Sequence, residues 1–326
     1  MLVPRAEQHN LGATEVQDET GLVPAAITDT GCERDLNEDR YAVIECPSGL
    51  AWLVCDGMGG TAGGELAAQL AIDAIRRDLE NLPARLPEQA FRDAVREANR
   101  IIVLRRQNQA FSGMGTTIVG ALFQGPQVII ANAGDSRAYL VRNGAIQQLT
   151  TDHTYVQELV DRGQVRAEDA LAHPQAHILT KCIGSEPSLE VEIHKYWLWD
   201  EGAGAGASDT LVLCSDGLYS LVSEVEVAEA VASYSPQRAC VRLVELAKER
   251  GGFDNITLAV IPLGGELRAE PPSGVNEQQL LRQLVSAQRK PGNARATLIR
   301  NFLLVFMLSS LAVLLTVLVM ALTISR

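Results

Sequence analysis

The chain has 326 residues, 47% of them hydrophobic, enough for one large domain or two small ones with a real core. Its formal net charge of −12 argues against a general nucleic-acid binder, which needs a basic face. Six cysteines, with no C-x-x-C pair and no histidine at zinc-ligand spacing, argue against a disulfide framework and fit a reducing compartment.

In chain order, Met1–Leu22 reads as a polar, mobile tail with no signal peptide. Residues 23–264 read as one domain. Strands are expected over Tyr41–Glu45 and Leu50–Cys55, joined at Pro47-Ser48-Gly49. Helices follow at Ala62–Leu79, with Leu66, Leu70, Ala74 and Ile75 on one face, and at Glu88–Gln107, with Phe91, Val95, Ala98 and Ile102. Strands return over Thr116–Phe123, Gln127–Ala133, Arg137–Arg142 and Ala145–Leu149, the last two turning at Asn143-Gly144. Thr151–Glu186 is more polar and reads as a surface flap. Strands at Glu190–Trp197 and Thr210–Cys214 flank a loop at Gly202–Ala207, helices cover Ser223–Ala232 and Pro236–Arg250, and Asn255–Pro262 closes the domain as a strand. Strand pairs, helix pairs and hairpins without βαβ alternation point to antiparallel sheets with helices outside them.

Residues 265–300 read as a Pro-containing linker with one helix around Gln278–Gln288, and 301–325 as a transmembrane anchor. Phe302–Ile324 is 23 residues without a charge. At about 1.5 Å per residue it spans roughly 34 Å, a bilayer core. Arg289, Lys290, Arg295 and Arg300 precede it and only Arg326 follows, which places the bulk of the chain in the cytoplasm. The expectation is a single-pass cell-membrane protein with a cytoplasmic, monomeric catalytic domain.

Five short acidic motifs carry the chemistry: N-E-D-R (Asn37–Arg40), C-D-G-M-G-G (Cys55–Gly60), A-G-D-S-R (Ala133–Arg137), S-D-G-L (Ser215–Leu218) and F-D-N-I-T (Phe253–Thr257). Taken singly, each aspartate is more often a turn or cap residue than a ligand. Together, Asp39, Asp56, Asp135, Asp216 and Asp254 all stand at strand–turn junctions, which would bring carboxylates to one sheet edge. Such a set repels itself unless hard divalent cations compensate it. Other routes to phosphate chemistry fail. Glu65 stands where a P-loop would need lysine, no cysteine opens a C-x5-R motif, and D-x-D and G-x-S-x-G are missing.

With T-D-T-G-C-E-R-D-L-N-E-D-R (Thr28–Arg40), G-M-G-T-T (Gly113–Thr117), N-A-G-D-S-R-A-Y (Asn132–Tyr139) and D-H-T (Asp152–Thr154) added, the ordered motifs from Thr28 to about Ile261 resemble the bacterial type 2C metal-dependent serine/threonine protein phosphatases. The resemblance implies an α+β fold, a four-layer α-β-β-α sandwich of two antiparallel sheets flanked by helix pairs. It implies two, or three, Mn2+ or Mg2+ ions. Asp56, the Gly57 carbonyl, Asp216 and Asp254 would hold two of them, and Asp135 would share a third with Asp216. Glu38 and Asp39 would act through bound waters, Arg34 would grip the substrate phosphate, and Asn255 and Thr116 would support them. A water bridging two metals would attack phosphorus in line, so no phosphoenzyme is needed.

Met58 stands where animal members have a histidine proposed as general acid, and methionine donates no proton. His153 then offers itself only by composition, against a structural role in the D-H-T turn. The expected substrates are phosphorylated proteins, among them a membrane serine/threonine kinase and its targets. The alternatives are a catalytically silent phosphoprotein-binding relative and a phosphatase of small phosphorylated metabolites.

Overall fold

The computed structural model describes residues 23–60, 63–81, 85–199 and 209–270. Its elements run β1 (Ala25–Asp29), β2 (Arg40–Cys46), β3 (Gly49–Cys55), β4 (Gly57–Met58), α1 (Gly63–Asn81), α2 (Pro87–Arg105), β5 (Gly115–Thr116), β6 (Ile118–Gln124), β7 (Gln127–Ala133), β8 (Arg137–Arg142), β9 (Ala145–Gln148) and α3 (Tyr155–Asp161). They continue with β10 (Glu192–Trp199), β11 (Thr210–Cys214), α4 (Asp216–Tyr219), α5 (Glu224–Ser233), α6 (Pro236–Glu249), β12 (Ile256–Pro262) and β13 (Glu266–Arg268). One sheet has the order β1-β12-β11-β8-β9 and the other β13-β10-β7-β6-β3-β2, with β4 and β5 forming a small separate ribbon. The strand pairs in both large sheets are antiparallel.

Three apolar layers hold these elements together. α1 and α2 pack on the six-stranded sheet through Ala71, Ile75, Phe91 and Val95 against Leu53, Leu122 and Ile129. α4, α5 and α6 cover the five-stranded sheet through Leu218, Val227, Leu243 and Val244 against Val212, Leu258 and Val260. The sheets meet each other through Trp52, Val54, Val119 and Ile130 on one side and Leu140, Leu213, Ala259 and Ile261 on the other. Side chains alternate faces along a strand, so Leu53 meets the helices while Trp52 and Val54 meet the opposite sheet. Each central strand is therefore apolar on both faces, which is why its sequence reads as a continuous run.

Two expectations change here. The buried stripe of α1 is Ala67, Ala71, Ala74 and Ile75, while Leu66 and Leu70 pack only at its margin. Small residues face the sheet because they let the helix approach it closely. The domain also extends past 264: β13 pairs with β10, Leu267 opposite Leu198, inside the stretch read as linker. β1, lying in sequence that carried no strand expectation of its own, pairs along β12 from Ala25 opposite Val260 to Asp29 opposite Ile256. The tail before Val23, the Gly202–Ala207 loop, the Gln278–Gln288 helix and the Phe302–Ile324 anchor lie outside the described residues. Among the described residues, no helix is long and apolar enough to cross a membrane.

Phe91 is fully buried, and a Cβ at Gly120 would stand 2.7 Å from the tip of its ring. Gly120 thus leaves the space that the Phe91 ring occupies against the sheet. Phe91→Ala should lower the unfolding free energy by about 3–5 kcal/mol, read by urea denaturation; a loss below about 1 kcal/mol would mean that the site collapses without a cavity.

Candidate active site

Sheet register delivers the carboxylates to one edge. Arg40 pairs with Cys55, so Asp39, just before β2, stands beside Asp56, just after β3. Cys214 pairs with both Arg137 and Leu258, so the ends of β8, β11 and β12 coincide and carry Asp135, Asp216 and Asp254 with them. A cleft of about 560 Å3 opens at this edge, and Asp56, Asp135, Asp216, Asp254, Glu38 and Arg34 line it with Gly57.

Backbone contacts fix these residues while leaving oxygens free. The Asp56 N–H donates to Thr117 Oγ1 at 2.9 Å, and its carbonyl accepts from the Thr117 N–H and Thr116 Oγ1, both at 2.8 Å. Gly57 allows β4 to lie against the start of α1: a Cβ there would come within 2.1 Å of the Gly64 carbonyl oxygen. Asn255 is a structural pin. Its Oδ1 accepts from the Glu38 N–H at 2.7 Å, and its Nδ2 donates to the Thr30 and Leu36 carbonyls at 2.9 and 3.0 Å. The Glu38 side chain accepts from the Gly64 N–H at the start of α1, at 3.2 Å. Asp39 sits behind the cleft wall, 1% exposed, with Oδ2 accepting from Ser215 at 2.7 Å and Oδ1 unpaired. Asp216 Oδ1 is likewise buried and unpaired.

The electrostatics follow from this crowding. Burial, then repulsion from Asp39, Asp216, Asp135 and Asp254, pushes the Asp56 carboxyl far up from its ordinary range. Burial raises Asp39 to about 7, with Asp216 and Asp254 adding to it and hydrogen bonds from Thr257 and Ser215 opposing it. Burial and the charge of Asp216 raise Asp135 to about 8. Asp254 is also raised by burial and Asp216, against the pull of the Asn255 N–H and Arg34. Orphaned buried carboxylate oxygens and mutual repulsion are what an oxygen site for hard divalent cations shows. The donor set fits Mn2+ or Mg2+. Among the described residues, no group of three or more His, Cys, Asp or Glu side chains closes on a single ion as it stands. Two of the carboxylates turn to basic groups of the protein instead: Asp254 to Arg34 Nη2 at 2.6 Å and Asp216 to His177 Nδ1 at 3.5 Å.

Each residue expected from sequence has its place. Asp56, Gly57, Asp135, Asp216, Asp254, Glu38 and Arg34 line the cleft; Asp39, Asn255 and Thr116 stand behind it. Met58 lines the cleft too. His153 does not: its Nδ1 accepts from the Gly134 N–H at 3.1 Å, and its Nε2 lies 2.9 Å from Glu192 Oε2. The first bond requires an unprotonated Nδ1, so Nε2 carries the proton and donates to Glu192. A neutral ring satisfies both contacts, and burial, followed by Lys181, lowers its pKa. His153 is a clip on the Asp135 turn, as the structural reading of D-H-T expected. Sequence reasoning missed His177 and Arg106, which line the cleft from the flap and from the end of α2. Neither sits in a motif, and only the fold brings them near the aspartates.

A model of protein phosphatase 2C matches residues 50–159. The serine/threonine phosphatase stp of Listeria monocytogenes is 38% identical over 242 residues, covering 72% of this chain and 93% of that protein. The chain belongs to the protein phosphatase 2C family. The crystal structure of the Mycobacterium tuberculosis serine/threonine phosphatase PstP/Ppp superposes on 74% of this 2C phosphatase chain and 98% of its own, with TM-score 0.64 and 34% identity. A PstP catalytic domain in complex with two manganese ions covers 73% of this chain and 96% of its own, with TM-score 0.61 and 34% identity. The chain is an enzyme of the serine/threonine protein phosphatase class.

An acid whose folded-state pKa lies above its unfolded value binds protons more tightly when folded, so stability falls as pH rises towards the folded pKa. With a chelator present, raising the pH from about 6 to about 8 should therefore lower the melting temperature. Asp135→Asn should make that slope shallower, and saturating Mn2+ should flatten it. A melting temperature that rises over the same interval in chelator would contradict the repulsive cluster.

Proposed function

We propose that this 2C phosphatase hydrolyses phosphoserine and phosphothreonine in proteins by direct attack of water on phosphorus. One observation carries the reading: Asp56, Asp135, Asp216 and Asp254 line a single cleft, with Arg34 beside them. Asp56, the Gly57 carbonyl, Asp216 and Asp254 would hold two Mn2+ or Mg2+ ions, and Asp135 with Asp216 a third. When bound, the cations would acidify water and offset phosphoryl charge.

The protein's own residues do the rest. The Thr116 and Thr117 contacts fix the Asp56 backbone, so its carboxylate is positioned without spending its oxygens. Glu38 and Asp39 would act through waters on the bound cations, Glu38 from the cleft and Asp39 from the wall behind it. Arg34 commits one of five donors to Asp254, and its planar fork suits phosphate oxygens. The backbone pins and the apolar sandwich beneath the cleft keep the acidic groups from relaxing apart. No side chain is asked to act as a nucleophile, in keeping with the missing nucleophile motifs.

The location is part of the proposal. The uncharged run Phe302–Ile324 and the basic residues before it support a single-pass membrane anchor with the catalytic domain on the cytoplasmic side. A membrane serine/threonine kinase and its substrates are the natural opposing partner by shared location.

The test is release of phosphate from a phosphothreonine peptide with Mn2+. Asp56→Asn should lower kcat/KM by more than about 100-fold, since losing groups one layer further from a metal already costs about 10–100-fold. Chelation should abolish turnover reversibly. Equal turnover in the variant, or activity indifferent to chelation, would overturn the reading.

A further inference from the structure

Beside the acidic cleft lies a second cavity of about 260 Å3, between the flap and the face of the sandwich that carries Arg137, Gln148 and Tyr219. The hydrolytic reading makes no use of it. His177, 66% exposed, lines both cavities, so the two adjoin at that side chain.

The walls differ in kind. Val156, Ala170 and Leu171 of the flap form an apolar side, and Leu171 is 51% exposed. The opposite side holds an ion pair whose charges are spent on each other. Arg137 Nη2 donates to Asp152 at 2.7 Å, its Nη1 donates to Tyr139 Oη at 2.8 Å, and the guanidinium lies 3.6 Å over the Tyr219 ring. Gln148 Nε2 is engaged as well, with the Thr150 carbonyl at 2.8 Å and Asp152 Oδ1 at 3.0 Å. Glu224, in the first turn of α5, also lines the cavity and has no hydrogen-bond or ion-pair partner among the described residues.

Arg137 is spent on Asp152 and His177 faces Asp216, so the charge left to a ligand is that of Glu224. An anionic ligand would find Arg137 already neutralised, with Glu224 and the acidic cleft repelling it. A purely apolar ligand would leave the Glu224 carboxylate facing its surface. A long side chain with an aliphatic stem and a cationic head satisfies both walls: the stem covers Val156, Ala170 and Leu171, and the head meets Glu224.

We propose that this cavity is a specificity pocket for a lysine or arginine that flanks the phosphorylated residue of a protein substrate. The proposal rests on the phosphatase reading above and deepens it. The formal charge of −12 also favours encounter with basic segments.

The test compares kcat/KM for phosphothreonine peptides that differ only by arginine or alanine at each of the near flanking positions. Wild type should favour arginine at one position by about fivefold, the scale of a partly exposed ion pair. Glu224→Gln should remove most of that preference, and Ala170→Trp, which fills the cavity, should abolish it. Both variants should retain turnover of p-nitrophenyl phosphate, which is too small to reach the pocket. Peptide turnover with no positional preference in wild type, or a preference unchanged in both variants, overturns the pocket and leaves the phosphatase reading intact. Turnover of p-nitrophenyl phosphate without turnover of any phosphopeptide overturns both.

Discussion

The structure depends on one unfavourable contact: several buried carboxylates forced together at a sheet edge. Asp56 cannot move away from Asp39, because the β2–β3 register places Arg40 opposite Cys55. Asp216 cannot leave Asp135, because β11 pairs with β8 up to Cys214 opposite Arg137. The central strands are buried on both faces, so sliding one of them to relieve the repulsion would expose an apolar layer of the sandwich. Packing energy thus holds the charges in place, and the repulsion becomes affinity for cations.

Backbone and side chain divide the work around that contact. Thr116, Thr117 and Asn255 grip main-chain groups of the site, and Gly57 lets two main-chain segments touch. The carboxylate oxygens of Asp39 and Asp216 are left partly unpaired. A site built this way is rigid without consuming the groups that must bind ligands. His153 belongs with the grippers. Tied to Gly134 and Glu192 as a neutral ring, it holds the turn that presents Asp135 and takes no place in the cleft.

Much of this was legible before any coordinates. Apolar runs that lead into Asp-Gly or Asp-Ser are local signals carried by Asp56, Asp135 and Asp216, while Asp254 stands in F-D-N just before the apolar run of β12. Strand positions followed from continuous apolar runs, because both faces of the central strands are covered, and helix positions from helical spacing. What stayed hidden depends on distance in sequence. β13 is three residues long and gains its identity only by pairing with β10. β1 is held as a strand by β12, at the other end of the domain. The small-residue stripe of α1 reflects the closeness of the sheet, which no helical wheel records. His177 and Arg106 reach the cleft from segments with no motif of their own. The pocket beside the cleft joins the flap to α5 and has no sequence signature at all.

The central claim is that the carboxylate cluster holds protons in place of cations until divalent ions displace them. Calorimetric titration with Mn2+ near pH 7, in two buffers of different ionisation enthalpy, tests it directly. Binding should occur with net release of protons, because Asp56, Asp39 and Asp135 are pushed upward by burial and repulsion. Asp56→Asn should lose both the tight binding and the proton release. Mn2+ binding with the same heat in both buffers, or binding unchanged by that substitution, would contradict it.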